Sequence, residues 1–273
     1  MLKITQLLKE SFTTYKSNFS KIFWIALPIL ILTIISEYYI AVSTTIIDNR
    51  DFGNMSYLFV SMIIYIVTIL AVSLYFGPVL NRAIQKKEDD GSFDSKLAYN
   101  FQKKNIFKWI MVNIWGFLYM VLAMLPYIVV SALLTVILFM NRDSYIAALI
   151  LSSLIGLTML IGIILNINKF VLYKNIYFSK DDISARDAVR ESIEIGKTKS
   201  KQVWMLIFSL IILTFIMIIM YFGLGFMSGL LTGNISNNVL YYSETILYGV
   251  LSAVFFLPLM SIVAAKGYVK IRG

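Results

Sequence analysis

Six long runs of apolar residues constrain this chain more than any other feature. They cover about Ile22–Ile47, Tyr57–Leu80, Trp109–Met140, Tyr145–Asn168, Val203–Met227 and Thr245–Ala265. A bilayer core about 30 Å thick needs roughly 20 apolar residues for each helical span. Backbone groups cannot stay unpaired in lipid, and the alternation and turn spacing of a barrel are missing. The runs predict an all-α, polytopic membrane protein with six transmembrane helices in one domain, residues 1–273.

The composition excludes several classes of chemistry. The 273 residues are 59% hydrophobic and 14% charged, and they include no cysteine and no histidine. Thiolate nucleophiles, disulfides and the commonest metal ligand are therefore missing. The chain also lacks the glycine patterns of phosphate-binding and dinucleotide-binding loops. We expect a protein that is not an enzyme and that holds no metal and no cofactor.

Basic residues alternate between rich and poor segments along the chain. Successive segments on one side carry four, seven, eight and three lysines or arginines, and those on the other side carry one, one and none, which accounts for all 24. Because basic loops mark the cytoplasmic side of a membrane, both termini are predicted to lie inside. This placement also accounts for the net charge of +9. The basic loops contain no nucleic-acid-binding module, so we expect no nucleic-acid partner.

The cytoplasmic segment before each odd-numbered span has apolar residues at helical spacing. In the first segment the shared face comprises Ile4, Leu7, Leu8, Ser11, Phe12 and Tyr15. In the third segment Gly196 is expected to end the helix. Such segments are typical of amphipathic helices at the headgroup boundary. The sequence therefore predicts a cytoplasmic interfacial helix before each of three transmembrane hairpins.

Two of the three units match each other in sequence. Lys9-Glu10-Ser11 corresponds to Arg190-Glu191-Ser192 at a shift of 181, and Tyr75-Phe76-Gly77-Pro78 corresponds to Phe255-Phe256-Leu257-Pro258 at a shift of 180. The middle unit is fainter, and no proline closes its second span. We predict parallel pseudo-repeats over about 1–87, 91–174 and 181–273. The alternative is that any two junctions between an amphipathic helix and a span look similar.

The stretch from Lys169 to Leu213 resembles a signature of bacterial membrane proteins. Its matching positions are Ala185, Ala188, Arg190, Ser192, Gly196, Lys197 and Trp204. The signature occurs in the membrane domain fused to some glycerophosphoryl diester phosphodiesterases and in related six-span bacterial proteins of unknown function. The resemblance implies an architecture in a bacterial cytoplasmic membrane. It implies no reaction, because the phosphodiesterase activity belongs to a separate soluble domain whose metal-binding histidines have no counterpart here.

Two acidic residues are candidate binding residues. Glu37 is the one formal charge inside an apolar run. Because an intramembrane acid is costly, it marks a candidate proton or cation site. The alternative is that Glu37 reaches headgroup water beside Tyr38 and Tyr39. Glu244, at the start of the last span, either joins Glu37 in an acidic outer vestibule or is an ordinary solvated residue at a helix end.

A basic stripe in the fourth cytoplasmic segment is the other candidate site. Arg186, Arg190 and Lys197 recur at helical spacing. Juxtamembrane basic residues each gain about 1 kcal/mol near an anionic surface. The stripe is therefore expected either to bind phosphate headgroups specifically or to anchor the helix generically.

Two functions fit this sequence. The first is a non-enzymatic membrane component, either an accessory to export or an immunity-like protective protein. It would bind membrane lipids or amphipathic peptides, and its partners would be an ATPase or a small amphipathic peptide. The second is a small proton-coupled secondary transporter that uses Glu37 as its coupling acid, because repeated units are typical of transporters.

Overall fold

The computed structural model describes residues 3–48, 55–140, 144–231, 247 and 249–273. For residues 37, 40–48, 55, 225 and 227–231 it describes the backbone alone. The described residues form helices and short connections, and none of them forms a strand. The helices are α1 (Ile4–Ser17), α2 (Phe19–Asp48), α3 (Met55–Ala71), α4 (Gly77–Asp90), α5 (Ser95–Met140), α6 (Tyr145–Phe170), α7 (Tyr173–Ser179), α8 (Ala185–Thr198), α9 (Ser200–Leu231) and α10 (Leu257–Arg272).

Six stretches of the described chain are helical, long and apolar enough to cross a membrane. They are Phe19–Ser36, Ser56–Asp90, Ser95–Met140, Tyr145–Ser179, Ser200–Leu224 and Leu251–Arg272. The all-α class and the predicted number of spans are confirmed, and the chain has the helices of a multi-pass membrane protein. The beginning of the sixth predicted run, near Thr245, lies outside the described residues.

The chain divides into two compact units. Unit 1 comprises Met1–Ile106 and Met205–Gly273, and unit 2 comprises Phe107–Trp204. In unit 1, α1 and α4 pack on α10, and α2 packs along α3. In unit 2, α6 and α7 pack on α8.

A single non-helical residue stands before each of three membrane-crossing helices. Asn18 separates α1 from α2, and Lys199 separates α8 from α9. Asn105 interrupts α5 with φ −116° and ψ 18°, so the backbone of this long helix leaves helical geometry here rather than at Pro126. The φ and ψ angles of the other two residues are similar, −117° and 14° at Asn18 and −113° and 31° at Lys199.

Two prolines in unit 1, Pro78 and Pro258, lie next to π-helical segments, whereas Pro28 lies inside α2. Pro78 and Pro258 each follow a π-helical segment, Val72–Phe76 and Leu251–Phe256. Because proline has no N–H, neither can donate to the carbonyl four residues earlier. A buried carbonyl without a donor costs about 1–3 kcal/mol, so each of these carbonyls needs another partner.

Side chains from the two preceding helical segments donate to these carbonyls. Tyr15 Oη lies 3.0 Å from the Val254 oxygen, and Gln102 Nε2 lies 2.6 Å from the Leu74 oxygen. Burial raises the pKa of the Tyr15 phenol, so its O–H stays protonated and can donate. Tyr15 and Gln102 each lie three residues before a break, at Asn18 and Asn105. The same position of two different helices therefore supplies the missing donor.

The buried face of α1 is Leu7, Ser11 and Tyr15. Close to it, Lys270 Nζ on α10 lies 2.6 Å from the Glu10 carboxylate, and this hydrogen bond holds the pKa of Glu10 below its ordinary value. The Glu10 carboxylate therefore stays charged around neutral pH, and the ion pair adds to the apolar contact between α1 and α10.

Polar contacts also join α4 to α10. Lys266 Nζ lies 2.7 Å from Glu88, and Ser261 Oγ donates to Asn81 Oδ1 at 2.6 Å. Arg82 is fully buried, and its guanidinium carbon stands 4.1 Å from the centre of the Phe101 ring. A cation on an aromatic face is stabilised by the ring quadrupole. These contacts add polar and cation–aromatic interactions to the packing of α4 in unit 1.

The Tyr15 hydrogen bond can be tested by a double-mutant cycle. Tyr15→Phe removes the donor and should destabilise the protein by about 1–3 kcal/mol, because the Val254 carbonyl is buried. In a Pro258→Ala background the restored N–H can bond to Val254, so the same change should cost less, with a coupling of about 0.5 kcal/mol or more. Unfolding midpoints in detergent measure both costs. Tyr145→Phe, at a tyrosine that is 80% exposed, is the control, and equal costs in the two backgrounds would contradict the assignment.

Candidate functional site

The two acidic candidates fall in parts of the chain that the structure does not fully describe. Glu244 lies outside the described residues. Glu37 is a helical position of α2, but its side chain is also outside the description. The acidic vestibule and the proton site therefore stay predictions.

Two of the three basic candidates converge on one tyrosine in unit 2. Arg186 and Arg190 are exposed on α8 and one helical turn apart. The Nε atom of each lies close to the Tyr119 hydroxyl on α5, at 3.5 Å and 3.3 Å respectively. The Arg186 guanidinium also stands 5.6 Å from the centre of the Trp115 ring. We call these four residues the arginine–aromatic cluster.

Lys197 belongs to the same stripe but lies further along α8. It is exposed, and it follows Arg190 by seven residues, about 10 Å along the helix axis. Lys197 is not among the residues that contact Tyr119 or Trp115 in the described part of the chain. The structure therefore brings together Arg186 and Arg190, as their spacing predicted, and leaves Lys197 two turns away.

The arginine–aromatic cluster has the chemistry of an anion site. A guanidinium carries five N–H donors in a planar fork that matches the oxygens of a phosphate or carboxylate. The contact to Tyr119 uses Nε, so the terminal amino groups are left to face other acceptors. Trp115 provides an aromatic face beneath Arg186, and the Tyr119 ring lies beside it, with the two ring centres 5.8 Å apart.

Polar contacts and one glycine hold α8 against α6. The Asn168 amide donates to the Gly196 carbonyl at 3.1 Å and to Ser200 Oγ at 3.0 Å, and Ser192 Oγ donates to the Lys169 carbonyl at 2.8 Å. A Cβ at Gly196 would come within 2.5 Å of the Asn168 oxygen. Both partners of that contact are backbone, so only a glycine fits here.

The expected role of Gly196 as a helix stop was wrong. The helix α8 continues to Thr198, and the non-helical residue is Lys199. Gly196 is a buried packing position instead. At the beginning of α8, Ser184 Oγ accepts the Asp187 N–H at 3.1 Å. A bridge between Lys180 and Glu191, at 2.7 Å, ties the helix to the segment before it.

An apolar groove of about 680 Å³ lies in the same unit, between α5 and α6. The two helices run antiparallel along it, since Gly116 lies beside Tyr173 while Gly162 lies beside Met124 and Tyr127. The residues that line the groove are Met120, Val121, Met124, Ile128, Met159, Ile163, Asn166, Ile167, Phe170, Val171, Tyr173 and Lys174. Lys174 is the one charged residue among them. Neither the groove nor Tyr119 and Trp115 had been singled out from the sequence.

Metal ligation and comparisons with known proteins add no further site. Among the described residues there is no group of three or more histidine, cysteine, aspartate or glutamate side chains that could hold a metal ion. Comparisons with protein-family models, with curated proteins and with solved structures found no match. The function proposed below therefore depends on the chemistry of these residues.

The contact between α6 and α8 can be tested at Gly196. Gly196→Ala places a methyl group against backbone atoms of Asn168 and Lys169. We expect a loss of at least about 1–3 kcal/mol, as for other overpacked positions. Gly156→Ala is the matched control, because nothing lies within 4 Å of its Cβ position, and alanine should stabilise that helix by up to about 1 kcal/mol. Thermal unfolding in detergent should give shifts of opposite sign; a neutral Gly196→Ala would contradict the packing role.

Proposed function

We propose that this protein is a non-enzymatic membrane protein that binds the phosphate headgroups of anionic phospholipids. The observation that carries the proposal is the arginine–aromatic cluster, in which two exposed arginines one turn apart share Tyr119 and Arg186 also stands over Trp115. Paired guanidinium groups bind phosphate oxygens with charge-assisted hydrogen bonds. Tyrosine and tryptophan are enriched where a membrane meets water. Together they favour headgroup binding over a solvated surface.

The site is proposed to lie on the cytoplasmic side, where anionic lipids attract basic segments. The distribution of basic residues supports this, because it predicts that both termini and the α8 segment lie inside. In this arrangement α1, the first turns of α5 and α8 are amphipathic interfacial helices, and each introduces a transmembrane hairpin.

Three local correspondences support the proposed pseudo-repeats. The bounds of α1 and α8 differ by 181 residues at both ends. The breaks at Asn18, Asn105 and Lys199 have nearly the same φ and ψ angles. Glu10 pairs with Lys270, and Glu191, at the position that corresponds to Glu10, pairs with Lys180. An accidental likeness of two sequences would not be expected to reproduce helix lengths, break geometry and ion pairs together.

Lipid binding fits a role as an accessory to export or as a protective, immunity-like protein. Either role needs a protein that recognises amphiphiles at the membrane surface and leaves them chemically unchanged. An ATPase or a small amphipathic peptide would then be the protein partner. A cationic peptide would compete for the anionic headgroups that the arginines bind, and an anionic one would compete for the arginines themselves.

The headgroup site can be tested by removing both arginines. Arg186→Gln/Arg190→Gln should weaken retention of phosphatidylglycerol by about 30-fold, if each cation contributes about 1 kcal/mol. Native mass spectrometry of the purified protein, titrated with phosphatidylglycerol or phosphatidylcholine, measures this loss. Lys103→Gln/Lys104→Gln is the control, because it removes the same charge from two exposed positions of α5. If both double variants lose phosphatidylglycerol equally, the cations anchor the protein generically and the specific site is wrong.

The second candidate function, proton-coupled transport, depends on Glu37. It is motivated by the sequence, in which this acid is the one charge inside an apolar run. Reconstituted protein should then carry proton-coupled flux that Glu37→Gln abolishes, measured with a pH-sensitive dye inside liposomes. Absence of flux in the unaltered protein, or equal flux in the variant, would leave lipid binding as the better proposal.

A further inference from the structure

The groove between α5 and α6 is a second place where this protein could hold a lipid. We propose that it seats one acyl chain of an anionic phospholipid, with the headgroup phosphate at Lys174. The inference rests on the proposed function in one respect, that the ligand is an anionic lipid. It concerns residues outside the arginine–aromatic cluster.

The length of the groove matches an acyl chain in one leaflet. On α6 its lining runs from Met159 to Phe170, about 16 Å along the helix axis, and on α5 from Met120 to Ile128, about 12 Å. One leaflet contributes about half of the roughly 30 Å hydrocarbon core. Its volume of about 680 Å³ lies within the range of about 300–1,000 Å³ common for ligand pockets.

The lining is apolar along most of the groove and polar at one end. Three of the lining residues are methionines, whose flexible thioethers adapt to ligands of irregular shape. The polar lining residues are Asn166, Tyr173 and Lys174, which all belong to the end of α6 or to α7. A groove with this gradient matches a ligand that has an apolar tail and a polar head.

The charge at the polar end selects an anionic head. Lys174 is exposed, and its Nζ stands 5.7 Å from the centre of the Trp109 ring and 5.8 Å from that of Tyr173. Nearby, Lys169 Nζ donates to the Asn166 side-chain oxygen at 2.7 Å, so a second cation borders the groove. No acidic residue is among those that line it. A phosphate at this end would meet cations and aromatic rings, as headgroups do at a membrane interface.

A photoreactive lipid tests the occupant directly. Full-length protein is reconstituted into phosphatidylcholine liposomes that contain a trace of phosphatidylglycerol with a diazirine in one acyl chain, and crosslinked peptides are mapped by mass spectrometry. We expect labelling concentrated on Met120, Met124, Ile163 and Ile167. Ile163→Trp, at a groove position that is 49% exposed, should fill the groove and reduce this labelling about tenfold. Ile164→Trp, at the next residue, is 45% exposed outside the lining and should leave it unchanged.

Binding of the lipid headgroup at Lys174 is tested with a separate variant and control. Lys174→Gln should reduce groove labelling by the phosphatidylglycerol probe about fivefold, which is the effect of about 1 kcal/mol for one cation near an anionic group. Lys104→Gln should not reduce it. Equal labelling by a phosphatidylcholine probe with the same acyl chain would overturn the choice of an anionic lipid.

Other outcomes separate this inference from the proposed function. Labelling spread evenly over exposed positions of α5 and α6 would mean an ordinary lipid annulus and would overturn the groove site. Displacement of the label by an amphipathic peptide at unchanged lipid content would identify a peptide as the occupant, which also overturns it. Retention of phosphatidylglycerol that depends on Arg186 and Arg190 would persist in either case. Its loss, with groove labelling intact, would refute the arginine site alone.

Discussion

The packing of unit 1 depends on how the carbonyls that Pro78 and Pro258 leave without a backbone donor are satisfied. Pro78 and Pro258 withhold an N–H from Leu74 and Val254, and the low dielectric of a membrane makes such an orphan carbonyl expensive. The donors come from side chains on other helical segments, Gln102 and Tyr15. Each donor must lie within hydrogen-bond distance of a buried oxygen. The segments that precede the third and the first membrane-crossing helices are therefore fixed against the ends of other spans. For α1, the hydrogen bond specifies a position that apolar contacts alone would not specify.

Unit 2 meets the same need for fixed helices by a different route. Its second span has no proline, and α8 is held by Asn168, by Ser192 and by the close approach of Gly196 to the α6 backbone. Ser192 and Gly196 are the positions that correspond to Ser11 and Tyr15 of α1. In α1, Tyr15 donates to the Val254 carbonyl, which Pro258 leaves without a backbone donor. At the corresponding position of α8, Gly196 lets the backbones of α8 and α6 touch. With α8 held against α6 in this way, its exposed residues Arg186 and Arg190 lie next to Tyr119.

Features that depend on residues close together in the sequence could be predicted, and features that depend on residues far apart in the sequence could not. The number of spans and the shared face of Arg186 and Arg190 depend on local composition and helical period, and both were predicted correctly. Tyr119 and Trp115 were missed because they lie roughly 70 residues from the arginines, and no periodicity connects them. Gly196 was misread because a glycine near a helix end signals a stop locally, whereas its role is a contact with Asn168. The groove was missed because Ile163 in its lining and Ile164 outside it look alike in an apolar run.

Glycines, more than charges, determine where ligands could bind in unit 2. A Cβ at Gly162 would lie 2.6 Å from the Tyr127 ring and 2.9 Å from the end of Met124, so this glycine lets α5 and α6 approach beside the groove. Gly116 similarly accepts the Tyr173 ring, next to Lys174. A cation on a lipid-facing helix attracts headgroups wherever it stands, but selective binding needs fixed distances between cation, ring and groove. Those distances follow from the close approach of backbone and rings at Gly116, Gly162 and Gly196. The specificity of the proposed sites is therefore encoded in residues that would never themselves touch a ligand.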